Sequence, residues 1–268
     1  MEEVKLICCD VDNTLLAKDK SLPEENCIAI RKAVLEKKIP FVIISGRNAP
    51  SVRNYMNQIG VTGVVPSLGG CLIEDWEGNI IEEHSINKNV ALELYNLAKD
   101  MGCLLFAYYR NNWFLEPHND YWAEYESSAL KVPATIEDFP TLFKKINPNK
   151  VLGVSKDAVK LNAFMDAINQ RYKGVLEACL SSPFYLEIIP YGVNKGTAIN
   201  ALCRYYNIKK CNVMAIGDYY NDIDMFKTAG ISVAVSNAPD DIKAIATHVT
   251  SADCTHAAVA EAIEHFVD

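Results

Sequence analysis

The sequence predicts an α/β fold, a parallel-sheet unit interrupted by an inserted α+β segment, and three features carry that expectation. Short continuous apolar runs at residues 4–9, 41–44 and 211–216 each stop abruptly at polar residues. Runs of this kind mark strands buried on both faces, the habit of parallel sheets. Helical stretches lie between the runs, giving strand–helix–strand alternation. Between about residues 86 and 191 the rhythm changes to closely spaced strands mixed with longer helices. The economical division is a core made of residues 1–84 and 192–268, with an α+β unit inserted at 85–191.

Residues 4–9 give the first strand. Ser21-Leu22-Pro23-Glu24 then reads as a capping box with proline in the first helical turn. Cys27, Ile30 and Val34 fall on one helical face, leaving Arg31, Glu36, Lys37 and Lys38 to solvent. Residues 41–44 form the second strand and stop at Ser45-Gly46-Arg47. Residues 71–75 and 80–83, joined through Glu77-Gly78-Asn79, form an antiparallel hairpin. In the insert, helices are expected at 90–101 and 158–172, and strands at 104–109, 113–116, 151–154, 175–180 and 185–189. The Pro190-Tyr191-Gly192 break precedes a helix that opens at Lys195 and runs to about residue 206. A strand at 211–216 and further alternation at 231–235 and 242–246 complete the core.

Composition excludes several classes. At 268 residues, 50% of them hydrophobic and 22% charged, the chain has ample material for a packed core. No apolar run approaches the roughly 20 residues that cross a bilayer. The acidic start Met1-Glu2-Glu3 lacks the basic region of a signal peptide, so a cytoplasmic location is expected. The nine cysteines, an odd number without a C-x-x-C pair, read as reduced thiols. A net charge of −8 argues against nucleic acid and anionic membrane as partners. A small phosphorylated molecule stays open, because a metal and a few cations can dominate a local site. The five histidines show no metal-ligand spacing.

Ligands of open α/β sheets bind beyond the carboxyl ends of strands, and four polar stretches deserve inspection there. In Asp10-Val11-Asp12-Asn13-Thr14, carboxylates two residues apart leave an extended chain on one side, so Asp10 and Asp12 can face one reacting centre. The Ser45 hydroxyl and the Gly46 N–H can donate to phosphate oxygens, although a plain strand-to-helix turn has the same composition. Lys195 opens a helix, where an isolated lysine is ordinarily solvated. Asp218 and Asp222, within Gly217-Asp218-Tyr219-Tyr220-Asn221-Asp222, would meet at one site if the loop enters a helix. An acidic helix N-terminus is the plainer reading of that pair.

In this order, and with apolar strands before three of the motifs, Asp10, Asp12, Ser45, Lys195, Asp218 and Asp222 resemble the four-motif pattern of the haloacid dehalogenase (HAD) superfamily. The resemblance spans essentially the whole chain. The insert, together with Ile189-Pro190-Tyr191-Gly192-Val193-Asn194-Lys195-Gly196, is similar to the Cof-type branch with a type IIB (C2B) cap. It implies a Rossmann-like parallel-sheet core, an α+β cap, and a Mg²⁺-dependent phosphatase acting on small phosphomonoesters such as sugar phosphates. Asp10 would attack phosphorus to form an aspartyl-phosphate, and Asp12 would serve as general acid and then base. Ser45, Gly46 and Lys195 would hold phosphate oxygens, with Asn221 adding an amide donor there or one step removed.

The family pattern gives metal binding to the Asp10 side chain, the Asp12 backbone carbonyl and the Asp218 side chain. Asp222 would ligate directly or orient a metal-bound water. Electrostatics asks for the ion, since two carboxylates about 4 Å apart repel by about 4 kcal/mol at an effective dielectric near 20. Oxygen donors with room for water suit Mg²⁺. Thr14 is expected to position the first loop, and Arg47 to play a structural part.

The chain departs from the family pattern at Asn13, at Leu68-Gly69-Gly70, at Ser236-Asn237-Ala238 and at Cys254-Thr255-His256, all outside the catalytic set. In the cap, Tyr108, Tyr109, Arg110, Asn111, Trp113, His118, Tyr121 and Trp122 form an aromatic and polar cluster, most of it expected as cap core. Arg110 and His118 are the candidates for substrate contact. The same motifs also serve phosphotransferases and sugar phosphomutases, which must shield the aspartyl-phosphate from water. A non-catalytic phospho-ligand module fits the Asp10–Asp12 pairing and the long cap less well. A dinucleotide-binding enzyme fits worse, as no G-x-G-x-x-G follows the first strand. The pattern names no particular substrate and no oligomeric state.

Overall fold

In the computed structural model, residues 3–267 are described; the acidic start at Met1-Glu2 lies outside them. The apolar runs become β1 (Leu6–Cys9) and β2 (Phe41–Ile43), both fully buried. The expected hairpin gains a strand in front: β3 (Val65–Ser67), β4 (Leu72–Glu74) and β5 (Ile80–Glu83) make a small antiparallel sheet. The inserted segment supplies β6 (Leu104–Tyr109), β7 (Asn112–Leu115), β8 (Thr135–Ile136), β9 (Lys150–Val154), β10 (Leu176–Ser182) and β11 (Tyr185–Pro190). The chain then returns with β12 (Val213–Gly217), β13 (Ile231–Ala234) and β14 (His248–Val249).

The core sheet is parallel, in the order β14-β13-β12-β1-β2. Alternate residues of β1 serve opposite layers, as strand periodicity demands. Ile7 and Cys9 join the apolar cluster with Ile30, Val52 and Ile263, while Leu6 and Cys8 join that with Ile199, Leu202 and Met225. Helices thus cover both faces. Because β2, β1 and β12 are neighbours running the same way, Ser45, Asp10 and Asp218 leave the sheet side by side.

The cap sheet runs β10-β11-β9-β6-β7-β8, antiparallel except for β7 with β8. One face packs on the helices Lys88–Asp100 and Ala158–Arg171 through Leu94, Leu161 and Phe164. The other face, with Phe106, Tyr108, Trp113 and Leu152, shares one apolar cluster with Leu68, Cys71 and Leu72 of the core. That shared cluster seats the cap.

One sequence expectation fails locally, and three helices go beyond what the sequence pattern predicts. The capping box at Ser21 does not form: the helix Glu24–Arg31 begins after Pro23, which offers no side-chain acceptor. Ser21 instead bonds its neighbour Asp19. Helices at Asp120–Leu130, Phe139–Lys145 and Ala258–Val267 were not expected. For the second, Asp138 accepts from the Thr141 N–H at 2.9 Å and Pro140 sits in the first turn, a legible start signal. Among the described residues, which include all nine cysteines, there is no disulfide. Among the described residues no helix is long and apolar enough to cross a membrane.

Candidate active site

The parallel ladder continues one residue past β1, with the Asp10 N–H donating to the Ile216 carbonyl at 2.9 Å. This holds Asp10 at the sheet edge. Lys195 is the first residue of the helix Lys195–Tyr206, whose start is fixed by a reciprocal capping box between Asn194 and Thr197. Its buried ammonium donates to Asp10 Oδ1 at 2.5 Å and to Asp222 Oδ1 at 2.6 Å. The second Asp222 oxygen accepts the backbone N–H groups of Asp218 (2.9 Å) and Tyr219 (3.1 Å). Asp218 in turn accepts the Thr14 hydroxyl at 2.8 Å, which ties the loop after β1 to the loop after β12. Asp218 and Asp222 therefore meet through a short 3₁₀ turn, Tyr220–Asp222, and not as neighbours on a regular helix.

Asp10, Asp218 and Asp222 each bring an oxygen within 4.8 Å of the others, and all three are buried. Burial pushes the Asp10 carboxyl up to about 7, against the pull of Lys195. Burial, then the charges of Asp10 and Asp222, push Asp218 up to about 8. Burial opposes the Lys195 charge, but Asp10 and Asp222 outweigh it and hold the ammonium well above its ordinary range. Three carboxylates share one lysine, and every remaining donor is oxygen. That deficit and that chemistry fit a hard divalent cation.

Asp12 lines the same cavity of about 300 Å³ as Asp10, yet its carboxylate is engaged elsewhere. Arg47 grips it with two bonds of 2.9 and 2.8 Å, and Lys20 adds a third at 2.7 Å. Burial would raise Asp12, but the Arg47 bonds and charge, then those of Lys20, hold it well below the usual carboxylate range. The structural part expected of Arg47 is thus a hold on Asp12. Lys20 carries no motif and was not foreseen.

Ser45 is buried and its hydroxyl oxygen accepts the Arg47 N–H at 3.1 Å. The Gly46 carbonyl accepts Lys150 Nζ from the cap at 2.7 Å, and the same Nζ pairs with Glu187 at 3.1 Å. Asn221 lines the cavity, and its buried Oδ1 has no partner among the described residues. Asn237 bonds the Asn13 carbonyl (2.9 Å) and accepts the Cys254 N–H (2.8 Å), so three of the atypical stretches form one support behind the first loop.

Two residues expected as substrate contacts lie apart from this cavity. Arg110 and His118 do not line the cavity. Arg110 sits in the turn between β6 and β7, where its guanidinium pairs with Glu83 at 3.1 and 3.2 Å. His118 is exposed in the loop after β7. The cap reaches the cavity through Tyr108, Glu126, Lys150, Tyr185 and Glu187 instead. Of these, only Tyr108 belonged to the cluster singled out from sequence.

Residues 7–263 match the family model for haloacid dehalogenase-like hydrolases. The chain belongs to the haloacid dehalogenase-like hydrolase family. Within it, this HAD hydrolase is of the Cof type. It is 27% identical over 265 residues to the 5-amino-6-(5-phospho-D-ribitylamino)uracil phosphatase of Bacillus subtilis, covering 99% of this chain and 96% of that one. The crystal structure of a haloacid dehalogenase-like hydrolase from Bacteroides thetaiotaomicron superposes with a TM-score of 0.88 at 29% identity, covering 98% and 99% of the two chains. A sugar phosphatase of HAD subclass IIB superposes at 0.85 with 20% identity over 98% of this chain and 99% of its own, a likeness of fold.

Proposed function

We propose that this HAD hydrolase is a Mg²⁺-dependent phosphatase of small phosphomonoesters, sugar phosphates or related metabolites. The observation that carries the reading is the meeting of Asp10, Asp218 and Asp222 around Lys195. The Asp10 and Asp218 side chains and the Asp12 carbonyl would hold Mg²⁺. Both Asp222 oxygens are already engaged, which favours an orienting part for that residue. When bound, the ion neutralises the carboxylates and the phosphate together and orients the phosphate towards Asp10.

Asp10 attacks phosphorus in line; the new O–P bond forms as the bond to the leaving oxygen breaks. That oxygen takes a proton from Asp12, which must first leave Arg47 carrying one. Water then hydrolyses the aspartyl-phosphate after giving its proton to Asp12. The Arg47 bonds and charge, which hold Asp12 well below the usual carboxylate range, favour the ionised form that would accept that proton. Lys195, the Ser45 hydroxyl, the Gly46 N–H and the Asn221 amide steady the phosphate oxygens. The cap shields the reaction from bulk water. Support for a metabolite-sized substrate comes from the cavity volume and from the phosphorylated ribitylaminouracil named for the Bacillus subtilis relative. Phosphate release from a metabolite panel, with Mg²⁺ and with EDTA, tests the reading. No release from any phosphomonoester in Mg²⁺, or equal release in EDTA, overturns it.

A further inference from the structure

The cap side of the cavity presents a buried carboxylate that the proposed chemistry does not use. Glu126, on the helix Asp120–Leu130, lines the cavity and is only 6% exposed. Its Oε1 accepts the Tyr108 hydroxyl at 2.9 Å and its Oε2 the Tyr185 hydroxyl at 2.8 Å. Burial, then the Glu126 charge, raise both phenols well above their ordinary range, so both remain donors. Among the described residues no cation lies within ion-pairing distance of Glu126. Of the cavity's own cations, Lys150 pairs with Glu187 and Lys20 with Asp12, while Arg47 bonds Asp12 and lies near enough to feel the Glu126 charge without bonding it.

A carboxylate withdrawn from water is costly, and two neutral donors offset that only in part. A glutamine, with one oxygen, would accept from only one of the two tyrosines as they stand and would carry no charge, whereas Glu126 accepts from both. Two of its roughly four lone-pair positions remain for another donor. Tyr125 and Phe184 line the same cavity, and aromatic faces attract cations. We propose that Glu126 is a specificity residue selecting phosphomonoesters whose leaving group carries an ammonium, such as amino-sugar phosphates or phosphorylated amines. The phosphate goes to the core end and the ammonium to Glu126, so a dipolar substrate meets a dipolar site. This rests on the phosphatase reading above.

The test compares kcat/KM within two matched pairs that differ at one nitrogen. These are glucosamine 6-phosphate against glucose 6-phosphate, and pyridoxamine 5′-phosphate against pyridoxine 5′-phosphate. The unmodified enzyme should favour the amine in at least one pair by roughly tenfold or more, the size of one charge-assisted hydrogen bond. Glu126→Gln should bring that ratio close to one, with its melting curve showing that the variant is folded. Should Glu126→Gln fail to fold, Glu126→Asp, which withdraws the carboxylate by one methylene, should lower the ratio. Flat ratios in both pairs, or a preference that survives loss of the carboxylate, overturn the proposal. p-Nitrophenyl phosphate separates the two readings. Its turnover with flat ratios, or turnover of other panel esters with neither amine accepted, sinks the ammonium proposal alone, whereas no turnover of these esters or of any in the metabolite panel sinks the phosphatase reading and this one with it.

Discussion

Lys150 in the cap donates its ammonium to the carbonyl of Gly46 in the core at 2.7 Å, across 104 residues of sequence. The same nitrogen pairs with Glu187, whose carboxylate occupies the space a Gly46 side chain would need. One buried charge thus fastens the cap onto the loop proposed to hold phosphate. Lys150→Met should leave Glu187 half-buried and unpaired, costing about 2 kcal/mol in urea denaturation. Lys150→Met/Glu187→Leu should recover most of that loss, since an apolar pair needs no compensating charge. Equal destabilisation in the single and double variants would contradict the pairing.

Asp10→Asn keeps the shape and removes the nucleophile. Phosphate release should fall to the detection limit of the assay. In metal-free buffer the variant should be at least as stable as the parent, because Asp10 faces Asp218 and Asp222 with the same charge. Lys195 keeps Asp222 as a partner throughout. Retained phosphate release, or a variant that fails to fold, would contradict this account.

Without metal, stability should fall as pH rises. Asp10 and Asp218 titrate near 7 and 8 in the folded chain, against about 3.9 when unfolded. Between those values the folded state binds more protons, so the contribution is full below about pH 4 and is lost as pH climbs through 7 to 8. A divalent cation binds the deprotonated carboxylates and reverses the trend. Thermal melts in Mg²⁺ and in EDTA should diverge steadily from pH 5 to pH 8. A constant gap would mean that these carboxylates do not hold the ion.

The parts of the fold that could be read from sequence are those where one chemical demand rules. β1, β2 and β12 are buried on both faces, so apolar runs mark them and the polar residue after each run marks the sheet's carboxyl edge. The cap resists such reading. Tyr108 points into the shared cluster, while the next residue, Tyr109, lies on the other side of the strand with Arg110 stacked on it at 5.3 Å. A step of one residue reverses the face, so side-chain chemistry alone does not tell which of these residues meet the cavity. Lys150 and Glu126 gain meaning only from partners 37 to 104 residues away and 18 to 59 residues away. No local spacing encodes those meetings.

Gly46→Ala probes the same fastening from the core side. The added Cβ would lie 2.7 Å from Glu187 Oε1 and 3.4 Å from Lys150 Nζ. The Gly46 backbone is not left-handed, so the penalty is set by the cap and not by local strain. Glu187 could swing aside as a free side chain, but its bond to Lys150 resists that movement. The expected loss is about 1 kcal/mol, roughly fivefold in kcat/KM, with little change in melting temperature. In Lys150→Met the restraint on Glu187 is already gone, so adding Gly46→Ala should reduce kcat/KM hardly further. If the two losses simply add, Gly46 and Lys150 act on catalysis through separate contacts, and the single fastening described here is wrong.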